Sequence, residues 1–388
     1  MRILVLGGDG YCGWPTSLYL SKKGHSVGII DNFFRRQWDT ELGTESLTPI
    51  RTLAERLDAW EQHTGIRIPF FQGDVLDYPF LLDVIQKFQP EAIVHFAEQR
   101  AAPYSMIDRE HAIFTQTNNI VGTLNVLYAI HEIVPDCHLI KLGTLGEYGQ
   151  PNIDIEEGFI DIEHNGRKDR LPFPMQPGSF YHLSKVHDSQ NIQFASRTWG
   201  IRATDLHQGI VYGVTTDETE NDERLMNRFD YDEYFGTALN RFCLQAASGH
   251  PITVYGNGGQ TRGLIDIRDT IRCIELVALN PADKGEYRVM NQFTEKFNLR
   301  ELANQVVAVA NKMGISPEIT HIPNPRVEKE THYYNPKNTK LIDLGLVPHL
   351  LSQATLEAEF KTALKYRDRI KAGMINPTIN WRSTDTKR

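Results

Sequence analysis

Cysteine is scarce in this chain: four in 388 residues, Cys12, Cys137, Cys243 and Cys273, at spacings that match no metal site. A chain of this length buries enough apolar surface to fold without disulfides, so the four read as reduced, buried thiols. Oxidation would matter most at Cys12, which falls inside a glycine loop. Excess positive charge is lacking as well. With 41 Lys and Arg against 49 Asp and Glu the net charge is −8, which leaves no footprint for nucleic acid. Any phosphorylated ligand must therefore be met by arginines gathered locally. No apolar run reaches the length that spans a bilayer, so membrane insertion is not expected. Internal repeats and low-complexity segments are missing. A strand pattern begins at Met1, so no signal or transit segment is read within this numbering. The expected compartment is the cytoplasm, or an organelle stroma if a leader was removed.

What is present begins at once, in MRILVLGGDGYCG. A short apolar strand runs into Gly7-x-x-Gly10-x-x-Gly13, and TSLYLSKKG continues as a helix. A buried strand, a glycine turn and a helix N-terminus make a pyrophosphate cradle, in which free N–H groups and the helix dipole face the ligand. Gly7 permits the tight turn, Gly10 the approach of backbone to phosphate and Gly13 the packing of helix on strand. Asp31 ends the next strand at about the ~20-residue interval expected of the acid that binds a ribose hydroxyl. Arg35 and Arg36 could instead take a ribose 2′-phosphate. Asp31 would repel such a phosphate, which favours NAD over NADP.

Strands and helices alternate up to Thr144, which predicts an α/β fold with a doubly wound parallel (Rossmann) sheet and a smaller C-terminal substrate-binding lobe. The division expected is 1–212 with 262–290 for the dinucleotide, and 213–261 with 291–388 for the substrate. Asp74 and Val75 close the third strand beside an adenine, and His95-Phe96-Ala97 bring the fourth strand to the cofactor side. LAERLDAW predicts a helix within a long connection. TNNIVGTLNVLYAIHEI predicts a helix apolar on two sides, the mark of a subunit interface and hence of a homodimer. NIDIEEGFIDIEHNGRKDRLPFPMQPGSF reads as a hairpin over the site, and the acidic run 215–235 as a solvated insertion or lid. TVYG-NGGQTRGLIDIRD reads as strand, turn and strand. The last dozen residues are polar and read as mobile.

Tyr181 and Lys185 open the helix after the hairpin, four residues apart and so on one helical face. A nearby ammonium favours a phenolate, which would bring the tyrosine from ~10 toward the range of a general base. The same spacing occurs at Tyr19 and Lys23 and at Tyr333 and Lys337, so position decides. Only Tyr181 lies one element after the strand whose end carries Thr144, at the carboxyl edge of the sheet.

Gly7-x-x-Gly10-x-x-Gly13, Asp74, His95-x-Ala97, Asn118, Thr144 and Tyr181-x-x-x-Lys185 together resemble the extended short-chain dehydrogenase/reductase family that acts on nucleotide sugars. The resemblance implies NAD held on the sheet. Tyr11, Cys12, Asn32, Phe96, Glu98, Gln208 and Val211 would join the residues already named in its site. It implies chemistry that starts with oxidation at sugar C4: Tyr181 takes the hydroxyl proton and Thr144 hydrogen-bonds the same oxygen. It places Arg241, Gln260, Arg262 and Asn324-Pro325-Arg326 at the nucleotide end of the substrate.

Longer stretches, among them GGDGYCGW, HFAEQRAAPYSMIDR, KLGTLGEYGQPNIDIEEG and FYHLSKVHDSQNI, are similar to the branch of that family that builds a sulfonated sugar from UDP-glucose and sulfite. A C4 ketone acidifies the C5 proton, water leaves across C5–C6, and the resulting alkene accepts sulfite at C6 before C4 is reduced again. Dehydratases of the family carry Thr-Asp-Glu where this chain has Thr144-Leu145-Gly146, which leaves the acid and base of water loss unassigned. Glu147 and His182 are the nearest candidates, and His182 could alternatively be a cation for sulfite. Arg100 and Gln208 are the candidate sulfite ligands, a guanidinium fork being suited to an oxyanion. A plain UDP-hexose 4-epimerase would need only Thr144, Tyr181 and Lys185. A dinucleotide-binding regulator would need none of the three.

Overall fold

The first strand, β1 (Arg2–Leu6), has Ile3, Leu4, Val5 and Leu6 all at 0% exposure, which only a central strand covered on both faces allows. In the computed structural model, which describes residues 1–376, 378, 379 and 381, it is followed by α1 (Gly13–Lys22), β2 (Ser26–Asp31), α2 (Phe34–Leu42), α3 (Leu53–Thr64), β3 (Phe70–Gln72), α4 (Tyr78–Phe88) and β4 (Ala92–His95). Then come α5 (Arg109–Gln116), α6 (Gly122–Ile133), β5 (His138–Thr144), β6 (Phe159–His164), β7 (Arg167–Pro172), α7 (Phe180–Trp199), β8 (Arg202–Gln208) and β9 (Ile210–Tyr212). The remainder is α8 (Ala238–Ala247), β10 (Ile252–Tyr255), β11 (Thr261–Asp266), α9 (Ile267–Leu279), β12 (Tyr287–Gln292), β13 (Glu295–Asn298), α10 (Leu299–Lys312), β14 (Ile319–Ile322), α11 (Thr339–Asp343) and α12 (Gln353–Lys365).

Seven strands form one sheet in the order β12-β8-β5-β4-β1-β2-β3, parallel at every pairing, as the alternation of elements predicts. One face is covered by α1, α3 and α9, through Trp14, Leu18, Trp60, Ile271 and Ile274. The other is covered by α4, α6 and α7, through Leu81, Ile85, Val126, Ile130 and Ile192. The strand order reverses between β1 and β4, and such a switch point opens a crevice at the carboxyl ends of the strands. A separate apolar core gathers α8, α10, α12 and β10 around Phe242, Val254, Val306 and Phe360.

Three expectations are revised and one is refined. The helix predicted from Thr117 starts earlier, at Arg109, and Thr117–Val121 winds one wider turn between α5 and α6. A widened turn lets the consecutive residues Asn118 and Asn119 both face inward, which regular helical spacing would not. The β6–β7 hairpin forms in the expected place but does not cover the crevice. It packs Phe159 against Tyr287 on the sheet-edge strand β12 and leaves most of its side chains in solvent. The strand, turn and strand read in TVYG-NGGQTRGLIDIRD form as β10 and β11, each in a different sheet. β10 lies beside β14, and β11 between β13 and β9. The 215–235 run is not a solvated insertion either: Leu225, Phe229, Tyr231 and even Asp230 and Asp232 are buried. Most of the residues read as a mobile tail, 377–388, lie outside the described residues.

Candidate functional site

The β1–α1 turn is built as its glycines predict. Gly7 has φ +83°, and a side chain on it would sit 2.8 Å from the Phe96 carbonyl carbon; on Gly13 it would sit 2.1 Å from the Gly7 oxygen. The floor of the crevice is thus bare backbone, shaped for a ligand that needs close approach to N–H groups. Asp31 stands at the wall with its carboxylate accepting from the N–H of Asp9 at 2.8 Å and of Phe33 at 2.7 Å. Burial, with Asp9 beside it, pushes this carboxyl up to about 6. Gly10, Tyr11, Cys12, Asn32, Arg35, Val75, Phe96, Ala97, Glu98, Asn118 and Val211 line the same cavity.

The arginine pair after β2 is split by its surroundings. Arg36 turns away to Asp9, with Nε at 2.5 Å, and Asp9 also takes Arg56 at 2.7 Å. Arg35 lies along the cavity wall, 3.8 Å over the ring of Phe235, and bonds Asp39 at 2.7 Å and Asp230 at 3.0 Å. Both guanidiniums are thus engaged by carboxylates. Arg36 leaves the cofactor wall altogether, and so does Asp74, whose carboxylate caps the N–H of Leu76.

The reacting end lies where β5 meets α7. Ser179 caps α7 by accepting from the N–H of His182, and its hydroxyl also pairs with His182 Nδ1 at 2.9 Å. The N–H of Tyr181 donates to Ser105 Oγ at 3.0 Å, which sets the first turn against the residues after β4. Tyr181, Lys185 and Thr144 all line the cavity. Lys185 Nζ donates to the Leu142 carbonyl at 2.6 Å and contacts the Glu98 carboxylate. The phenol is not simply lowered, as the Tyr–Lys spacing predicts. Burial raises it, Lys141 opposes that rise, Glu147 adds to it, and Arg100 and the Thr144 hydroxyl oppose it. Burial also brings Lys185 down to about 8.

Glu147 does not reach the cavity. Its carboxylate turns behind β5, where Oε1 accepts from the N–H of Thr144 at 2.9 Å and Oε2 from Ser189 Oγ at 2.9 Å. This capping arrangement fixes the strand end, and the side chain is 0% exposed. As a proton donor to substrate it is therefore withdrawn. His182 does face the cavity, yet burial, Arg326 and Arg262 bring it down to about 3, so it stands as a neutral imidazole and not as a cation for sulfite.

A second cavity opens beyond Thr144 and shares Thr144, His182, Gln208, Arg262 and Arg326 with the first. Its outer wall carries Lys329, His332, Tyr334 and Trp381. Gln208 bonds Gln292 at 2.9 Å. Arg262 is paired with Glu328, Arg241 donates to Tyr255 at 2.6 Å, and Arg326 lies over the Trp381 ring. Arg100 lines the first cavity, with one guanidinium nitrogen held 2.6 Å from Asp230 and the side chain partly exposed. Gln260 is buried away from both cavities, with its Nε2 toward the Tyr255 carbonyl. Asn324 is outside both as well and orders the loop, accepting from the N–H of Arg326 and donating to Glu328. Phe34, Trp38, Phe235 and Thr237 line the site without any signal of their own in the sequence. Among the described residues no group of three or more His, Cys, Asp or Glu could hold a metal ion, and no helix is long and apolar enough to cross a membrane.

This crevice is that of a nucleotide-sugar enzyme on a dinucleotide-binding sheet. The pattern of the NAD dependent epimerase/dehydratase family matches residues 3–291, and the chain belongs to that family. Within it, the UDP-sulfoquinovose synthase of spinach chloroplasts is 58% identical over 386 residues, all of this chain and 80% of that protein. The UDP-sulfoquinovose synthase of Sulfolobus acidocaldarius is 44% identical over 385 residues, 98% of each chain. Among solved structures, a Bacillus cereus UDP-glucuronic acid 4-epimerase variant with a fluorinated UDP-sugar and NAD superposes with a TM-score of 0.70 over 94% of this chain and 99% of that one, at 21% identity.

Proposed function

We propose that this protein makes UDP-sulfoquinovose from UDP-glucose and sulfite, with NAD as its retained cofactor, in the cytoplasm or an organelle stroma. The observation that carries this reading is the 58% identity, along the whole chain, to a synthase of that name. The site supports it in detail. We take residues 1–212 and 262–290 to hold NAD, and 213–261 with 291–388 to hold the nucleotide sugar. The bare turn at Gly7, Gly10 and Gly13 would hold the pyrophosphate, Asp31 a ribose, and Val75 the adenine face. Bound there, NAD supplies one oxidation and one reduction at C4 in each turnover, so it is regenerated in place.

Tyr181 takes the proton of the C4 hydroxyl on its phenolate oxygen, and Thr144 donates a hydrogen bond to the same sugar oxygen. Arg241, Arg262 and Arg326 face the diphosphate. Two of them, Arg326 and Arg262, are also the charges that depress His182. A bound diphosphate offsets those two charges, while burial, the largest cause, keeps His182 a neutral imidazole whose free nitrogen can accept a proton. That imidazole then takes the C5 proton and passes one to the departing C6 oxygen as water leaves. Sulfite reaches C6 from the second cavity, whose wall carries Lys329, Arg262 and Arg326.

The test is direct. Incubated with UDP-glucose and sulfite, the purified protein should yield a sulfonated sugar nucleotide identified by mass. UDP-galactose with no carbon–sulfur bond would overturn the reading in favour of an epimerase. The active unit is a homodimer in this reading. Ile113, Val121, Tyr128 and Phe194 are 42–54% exposed on the neighbouring helices α5, α6 and α7 and the wide turn between the first two, an apolar face suited to a second copy. A monomer in sedimentation at micromolar concentration would remove that part.

A further inference from the structure

Beneath the first turn of α7, two ammonium groups and two carboxylates form a chain of contacts. Lys141 on β5 is fully buried, its Nζ 3.0 Å from Glu98 Oε1 and 3.4 Å from Asp188 Oδ2. The other oxygen of Glu98 contacts Lys185. Glu98 thus bridges the two lysines, and Asp188 closes on the far one. Burying a charge costs several kcal/mol even after relaxation, and a buried pair returns little net stability. Four such groups beside a reacting tyrosine call for another explanation.

A carboxylate resting alone on Lys185 would cancel the positive charge that a neighbouring phenolate needs. Lys141 shares that carboxylate and restores the balance. We propose that Lys141 is the positioning residue of this site, holding Glu98 off full neutralisation of Lys185 and supplying the compensating charge that lets Tyr181 ionise. This rests on Tyr181 being the base in the proposed reaction. Among the groups acting on the Tyr181 phenol, Lys141 is the largest that favours ionisation.

The other groups facing this quartet come from the neighbouring elements, and Asp205 and Glu147 among them also favour the charge on Lys141. His95 on β4 is held well below its ordinary value by burial and by the two lysines. On β8, Asp205 and His207 lie 3.5 Å apart, and Glu147 lies 3.6 Å from the same imidazole. Ser189 Oγ on α7 lies between those carboxylates, 2.9 Å from Glu147 and 2.6 Å from Asp205, and Tyr287 on β12 donates to Asp205. Thr123 on α6 donates to Glu98, and Arg100 is tied to Asp230. Asp188, 3.4 Å from Lys141, is the carboxylate the test removes.

The experiment follows the absorbance of the reduced nicotinamide when holoenzyme is mixed with UDP-glucose without sulfite, across pH. Lys141→Met should move the acid limb of the rate up by about one pH unit, the effect of losing one nearby charge. Asp188→Asn should move it down by about as much, because one of the carboxylates opposing the lysine is then gone. Lys141→Arg should return the limb to its original position. A merely structural role would lower the rate of both variants at every pH without moving the limb, and that result overturns the proposal. If Lys141→Met does not fold, an unmoved limb in Asp188→Asn overturns it equally. Tyr181→Phe separates the two failures: retained oxidation would end the reading of Tyr181 as base, whereas an inactive Tyr181→Phe with unmoved limbs ends only the role of Lys141.

Discussion

Tyr181→Phe is expected to lower turnover by about 10²- to 10⁴-fold, the usual worth of a positioned general base, while leaving NAD bound. The substitution removes one oxygen and little else. The ring packs against His182 at 5.1 Å between centroids, and the backbone N–H is anchored on Ser105 at 3.0 Å, contacts that phenylalanine keeps. The pH dependence has a definite sign. Burial keeps the phenol protonated at neutral pH, so the rate of C4 oxidation should climb with pH as the base form is populated. Lys185, brought down to about 8 by burial, loses its proton as pH rises through that value. Its support of the phenolate is then lost, which gives an alkaline limb. Stopped-flow absorbance of the reduced nicotinamide checks both limbs. Activity above a hundredth of the wild-type rate in Tyr181→Phe would remove the residue as base.

The parts of this site that could be read from sequence are those whose geometry is local. Strand, turn and helix N-terminus lie within thirteen contiguous residues, so Gly7 and Gly13 announce the cradle unaided. Tyr181 and Lys185 share one helical turn. Where neighbours in sequence are separated by a change of direction, reading fails. Glu147 stands three residues from Thr144, but the tight turn after β5 aims it behind the sheet. Arg35 and Arg36 are adjacent, yet their roles depend on Asp230 and Asp9, one of them 195 residues away from Arg35. Asn118 was reachable only by resemblance, because the widened turn that presents it has no signature in hydrophobic spacing. Counting charges misled most in the 215–235 run. Its acids look solvated until Arg35 and Arg100, distant in sequence, are brought against Asp230 beside the run's own Arg228.

Asp230→Ala should therefore be the most destabilising single change near the cofactor, by about 3–5 kcal/mol, the loss typical of breaking a buried ion cluster on one side. The wild-type carboxylate is surrounded by Arg100 at 2.6 Å, Arg35 at 3.0 Å and Arg228 at 3.3 Å, and Asp39 can balance only two of these, Arg35 and Arg228. Burial opposes ionisation of Asp230, but the three guanidiniums hold it well below the ordinary carboxylate range. The sign of the linkage follows. With a depressed folded value, the stabilisation is present above the unfolded value of ~3.9 and is lost as pH falls through the folded one. Wild-type protein should keep its clamp in mildly acidic buffer, and the variant should lose that component of acid unfolding. Asp232 gives an internal check: burial and Asp230 push it up to about 6, so removing Asp230 should let it fall. Cofactor retention should suffer with stability, because the same segment grips the glycine turn. Tyr11 donates to the Gly213 carbonyl at 2.5 Å, Trp14 to Leu225 at 2.9 Å, and Asn227 back to Tyr11 at 2.9 Å. Calorimetry should show a melting temperature lower by several degrees, and protein passed through a desalting column should emerge depleted of NAD. An unchanged melting temperature with full NAD occupancy would show that the clamp does not hold the cofactor, and that retention comes from the sheet edge alone.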